Sequence, residues 1–143
     1  MTNQSNDWAL AVGRSMMALI FVAAGAGKLA NFEGTQAYMQ SMGVPGVLLP
    51  IVVLTELGGG LTIFLGFKVR IVSILLAAFC VVSGAIFHHN FADQTQLIMF
   101  MKNLAMAGGF LTLFVSGAGS ISLDGKLASR KLSEPANSTH SDQ

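Results

Sequence analysis

The stretch Val47 to Phe67, VLLPIVVLTELGGGLTIFLGF, limits what this chain can become: nearly unbroken apolar sequence with one carboxylate, Glu56, close to its midpoint. About twenty residues in a helix rise roughly 30 Å, the hydrocarbon thickness of a bilayer. An acidic side chain at that depth costs on the order of 2.5–3.5 kcal/mol on insertion scales. A chain that keeps one must neutralise it, pair it, or turn it towards a watery cavity.

The rest of the sequence supports a membrane setting. Of 143 residues, 52% are apolar and only 10% charged, whereas soluble domains carry about 25% charged residues. That shortfall fits a polytopic membrane protein. Three more apolar runs are long enough to span: about 8–27, containing Arg14; about 71–87, ending in His88-His89-Asn90; and about 97–115, interrupted by Lys102-Asn103. A signal peptide competes for the first run, but no Lys or Arg precedes it and Asp7 stands where a basic segment belongs. It reads as a membrane helix. Residues 1–7 read as polar and disordered or surface-bound.

Between the first two spans, residues 28–46 are too polar to cross. Phe32, Thr35, Tyr38, Met39 and Met42 recur at helical spacing, and Gly43-Val44-Pro45-Gly46 punctuates the end. A short amphipathic helix in the interface is expected. Residues 118–143 read as a polar tail without an apolar period. The expected fold is therefore an all-α membrane protein: a four-transmembrane-helix bundle over 8–117, with a short interfacial helix between its first two spans. Small-residue pairs in each span, Ala23/Gly27, Thr55/Gly59, Ser73/Ala77 and Ala105/Gly109, would let backbones approach.

Several functions fall away. Net charge is +1 with no basic block, so nucleic-acid binding has no support. The single cysteine, Cys80, excludes an intramolecular disulfide, a CxxC pair and a cysteine-based metal or iron–sulfur site within one chain. His88 and His89 diverge by about 100 degrees on a helix, so both do not reach one ion from one face. The third histidine, His140, is in the tail. No metal site is expected.

Lys68, Arg70, Lys126, Arg130 and Lys131 collect on one side of the four spans, with both termini, so both termini are expected in the cytoplasm. On that topology Glu56 lies roughly 14 Å and Lys102 roughly 8 Å below the outer surface. Lys28 closes the first span on that side and His88 the third. Arg14 enters from the cytoplasmic side, fourteen residues before Lys28 and so on the same helix face. The expectation is an outward-opening polar cavity with Glu56 at its floor, to which all four helices contribute. Arg14, Lys28, Glu56, His88, Lys102 and Asn103 are the candidate residues for ligand binding or an intramembrane polar network. A Lys102–Glu56 ion pair is within reach. The competing reading is that the cations snorkel to the headgroups and Glu56 is held by hydrogen bonds across helices.

Gly13-Arg14, the block GAGKLANFEGTQAYMQSMGVPG at 25–46, LTELGGGLTIFLGFKVR at 54–70 and FHHNFADQTQLIMFMKNLAMAGG at 87–109 together resemble the DoxX family of small bacterial inner-membrane proteins. The resemblance covers roughly 8–117. It implies a four-helix protein of the inner (plasma) membrane, near quinone or redox metabolism or oxidative-stress partners, with Arg14, Lys28, Glu56 and Lys102 on the family's motifs. No redox centre is intrinsic to the chain, so a redox role implies a bound quinone or a partner protein.

Two functional readings follow. In one, the cavity binds a quinone-like or other polar-headed ligand, with cations at its oxygens and Glu56 handling protons. In the other, the protein is a noncatalytic membrane scaffold or transport-related subunit whose charges hold the bundle. Lipid is an expected partner on either reading; a membrane or redox protein and a second copy of the chain are candidates.

Overall fold

A computed structural model describes residues 4–133. Within them every regular element is a helix, and there is no strand. Four helices are long and apolar enough to cross a membrane. We label them with the two shorter ones in chain order: α1 (Gln4–Ala30), α2 (Phe32–Ser41), α3 (Gly46–Leu65), α4 (Val69–Phe87), α5 (Gln94–Ser116) and α6 (Leu123–Ser133). The chain is an all-α, four-span membrane protein, with α2 as the short helix between the first two spans.

The ends of these helices follow from local chemistry. Gly66, at φ +71°, closes α3 in the left-handed region where a side chain is strained. Asp93 opens α5, accepting from the backbone N–H of Thr95 at 2.8 Å. The outward surfaces of the spans carry large apolar side chains such as Met16, Leu19, Leu54, Ile71 and Val115. In water these would be a liability; in lipid they are the expected facing.

The spans pack chiefly as two antiparallel pairs, α1 with α3 and α4 with α5. Close approach in the first pair depends on two glycines. A Cβ at Gly25 would sit 3.1 Å from the Leu57 backbone nitrogen, and one at Gly60 3.1 Å from that of Val22. These are not the expected small-residue pairs. Gly27 has open space around it, while Gly59 faces Leu76 on α4 and Gly109 faces Met17 on α1. A spacing pattern names residues that permit contact, and the helix rotation set by the larger side chains decides which are used. Between the pairs, Phe21, Ile63, Leu76, Cys80 and Phe110 form the core, with Phe21 edge-on to Phe110 at 5.2 Å between centroids.

The described parts of both polar ends, residues 4–7 and 118–133, are more structured than the sequence suggests. Helix α1 begins at Gln4, and Asp7 is buried, bonded to the Ser120 hydroxyl at 2.6 Å. The segment after α5 folds back, burying Ala118 and Ser122, and α6 follows it. The Asp124 carboxylate accepts from the backbone N–H groups of Lys68 and Val69, at 2.8 and 3.0 Å, and so caps α4. The short polar segments lack an apolar period because they are held by hydrogen bonds, which periodicity does not register.

Candidate functional site

Two features of α3 present Glu56. After a 3-10 turn at Gly46–Leu48 the α-helical part of α3 starts with Pro50 in its first turn, and then over Leu54–Gly58 it widens into a π-helical turn, immediately before the glycines at 59 and 60. Such single turns inside α-helices are frequently found at functional sites. Glu56 lies within this turn and is 5% exposed.

Its partner is Lys28. The ammonium donates to Oε1 at 2.9 Å and lies 2.8 Å from Oε2, so it straddles both carboxylate oxygens. The expected Lys102–Glu56 pair is therefore corrected to Lys28–Glu56. The physical reason is the glycine-mediated contact of α1 with α3, which sets Lys28 over the π-helical turn. Lys102 is on α5, a helix that packs chiefly on α4, and its Nζ contacts the Met99 sulfur at 3.8 Å.

Above the pair is a cavity of about 380 Å³ between the two helix pairs. Its polar lining includes Lys28, Glu56, Ser83, His88, Lys102 and Asn103, while its walls are mostly aliphatic, aromatic and methionine side chains. Five of the six candidate residues thus share one cavity. Asn103 donates to the Met99 carbonyl at 3.0 Å, with its Oδ1 3.5 Å from the Ser83 hydroxyl. His88 Nδ1 is 2.9 Å from the Gln96 side-chain oxygen, which joins the end of α4 to the first turn of α5. Helix α2 covers the cavity at this end: Thr35, Tyr38 and Met39 line it, and the Tyr38 ring stacks on Phe87 at 5.7 Å.

Arg14 does not belong to this site. Of the six candidate residues it alone lies at the other end of the bundle. There its guanidinium donates to the carbonyls of Ala118, at 2.5 Å, and Ile121, at 3.0 Å. Its length and fork of donors suit the stray carbonyls of a chain turning back after α5. The same-face relation to Lys28 is real, but the two side chains serve opposite ends. Sequence reasoning also missed Ser83, Thr35 and Tyr38 in the lining. Ser83 gives no signal in an apolar run; Tyr38 was visible as part of the amphipathic pattern of α2 without indicating what it covers.

Among the described residues, no three His, Cys, Asp or Glu side chains cluster as metal ligands. His140 lies outside the described residues.

Comparison with known proteins gives the same class. The family model described as DoxX matches residues 9–89. Inner membrane protein YqjF of Escherichia coli (strain K12) is 46% identical over 82% of this chain and 91% of its own length. Inner membrane protein YphA of the same organism is 37% identical over 80% and 87%. A Bacillus subtilis (strain 168) protein named "Putative oxidoreductase CatD" is 32% identical over 78% and 88%. No solved structure gives a significant match.

Proposed function

This chain belongs to the DoxX family of membrane proteins, and from that premise we propose that it is a small inner-membrane subunit that binds a lipid-soluble ligand with an oxygen-bearing head. The observation that carries the reading is the cavity between the helix pairs. Its volume falls in the range of small-molecule sites, which are largely apolar with a few convergent polar groups. Lys28 and Lys102 supply donors to head-group oxygens, and Glu56 is the acceptor at the floor.

A quinone, the cofactor that the family resemblance implies, fits these residues. Its carbonyl oxygens require donors, which Lys28 and Lys102 present, and its ring requires apolar walls, which Phe21, Phe79 and Met106 provide. Such a group supplies electron and proton exchange when bound; the chain's own part is to hold the head and exclude water. The word oxidoreductase in the name of one relative favours a redox setting for this subunit.

The Lys28–Glu56 pair favours a second reading, because a buried pair bridging α1 and α3 also serves a scaffold. Native mass spectrometry of gently extracted protein separates the two. A quinone- or lipid-sized adduct present on wild type and lost from Glu56→Gln supports the binding site. Bare protein in both, or a co-purifying protein retained in both, supports the scaffold. We also propose that both termini face the cytoplasm, from the lysine and arginine bias.

A further inference from the structure

We infer that this cavity takes a single-chain amphiphile with an anionic head, admitted from the side of the bundle, with Lys102 as the head-group contact. The inference rests on reading the cavity as a ligand site and narrows the class of ligand it holds.

The side entrance follows from exposure. Several residues lining the cavity are on spanning helices and also open on the outside of the bundle: Ile20 of α1 is 41% exposed, and Val82 of α4 is 56% exposed. Lys102 of α5 both lines the cavity and is exposed. These surfaces face hydrocarbon in a spanning bundle, so the cavity reaches lipid directly. At the adjoining end, α2 covers it through the Tyr38–Phe87 stack.

The sign of the head follows from charge. Lys28 and Glu56 neutralise each other within the cavity. Lys102 is eight residues into α5, roughly 12 Å below its first residue, and its contact among the described residues is a thioether, a weak acceptor. Among the described residues, no carboxylate other than Glu56 lines the cavity. The other acidic residues at this end do not supply one: Glu33 is not in the lining, and Asp93 is engaged as the cap of α5. One ammonium therefore stands uncompensated at membrane depth, where an ionisable group is expensive and marks a functional position. A ligand that brings an anion on an apolar body satisfies both the ammonium and the walls. The size of the cavity suits one chain and its head.

Photocrosslinking tests this on the full chain in nanodiscs of zwitterionic lipid. Two probes of equal length carry a diazirine on the chain, one a long-chain fatty acid and the other its primary alcohol, and labelled peptides are mapped by mass spectrometry. The expected result is several-fold more labelling of cavity residues by the acid than by the alcohol. Lys102→Met should abolish that preference and Lys102→Arg retain it, with thermal stability measured for each variant. Equal labelling of the cavity by both probes in wild type and in Lys102→Met overturns the anionic class while leaving the cavity a ligand site. Labelling confined to outward residues such as Met16 and Leu19 overturns the binding-site reading as well. Adding phosphatidylglycerol separates the two sources of an anionic head: persistence of acid labelling supports the single-chain ligand, and its loss assigns the site to lipid phosphate and overturns it.

Discussion

Lys28 and Glu56, from different membrane-spanning helices, meet with the ammonium 2.9 and 2.8 Å from the two carboxylate oxygens. The carboxylate is nearly inaccessible, with 7% of its side chain exposed, while the lysine keeps 28%. The pair is thus asymmetric. Removing the lysine strands a buried charge, whereas removing the carboxylate leaves a lysine that still reaches the cavity.

That asymmetry gives the first prediction. Lys28→Met should lower thermal stability in detergent by about 1–3 kcal/mol, below the 3–5 expected when a fully buried pair is broken, because Lys28 is partly exposed. Glu56→Gln should cost less. The double variant should recover part of the loss, giving a coupling energy in a double-mutant cycle. The same cycle with Lys102→Met in place of Lys28→Met should be additive; coupling there would contradict the observed pairing.

How far the sequence reaches is clear from these residues. The spans and the interfacial helix were legible because apolar run length and period register directly in the sequence. The polar residues that gather at one end of the bundle were also legible, since depth follows from counting along a helix. What counting does not give is rotation. Lys28 and Lys102 both lie within reach of Glu56 by depth, and the choice is made by Gly25 and Gly60, which bring α1 against α3. The partners of Arg14 were illegible for a related reason: its carbonyl acceptors are in a segment with no pattern of its own.

The glycine contacts yield a second prediction. Gly60→Ala would drive a methyl to 3.1 Å from the Val22 backbone nitrogen, which does not move aside without shifting α1. We expect a loss of about 1–3 kcal/mol, typical of overpacking. Gly27→Ala has nothing within 4 Å to meet and gains helix propensity, so it should be neutral or stabilising by up to about 1 kcal/mol. Thermal melts of the two variants check this, and equal losses would count against the α1–α3 contact as described.

A third prediction concerns the end where the chain turns back. Asp124 caps α4 through two backbone bonds, and its own N–H donates to the Gly66 carbonyl at 2.9 Å. Asp124→Ala keeps the latter and removes the former. Loss of a cap costs about 0.5–2 kcal/mol, and here it also releases the segment from the bundle. Trypsin should then cleave at Lys126 several-fold faster than in wild type, while the spans stay protected. Unchanged cleavage would mean that Arg14 and Asp7 hold the segment unaided.

The orientation proposed from charge bias yields the last prediction. Asn90, between α4 and α5, and Ser129, on α6, are both exposed and lie at opposite ends of the bundle. Native Cys80 is 1% exposed and so a poor target for a water-soluble reagent. Single variants Asn90→Cys and Ser129→Cys in intact cells should therefore report sidedness without removing it. With both termini in the cytoplasm, a membrane-impermeant maleimide admitted to the periplasm labels the cysteine at 90 and leaves that at 129 unmodified until the inner membrane is broken. The reverse pattern would place Lys68, Arg70 and the basic residues of α6 on the far side, against the positive-inside bias. It would also turn the α2-covered end of the cavity towards the cytoplasm, so the same labelling decides which compartment adjoins Lys28, Glu56 and His88.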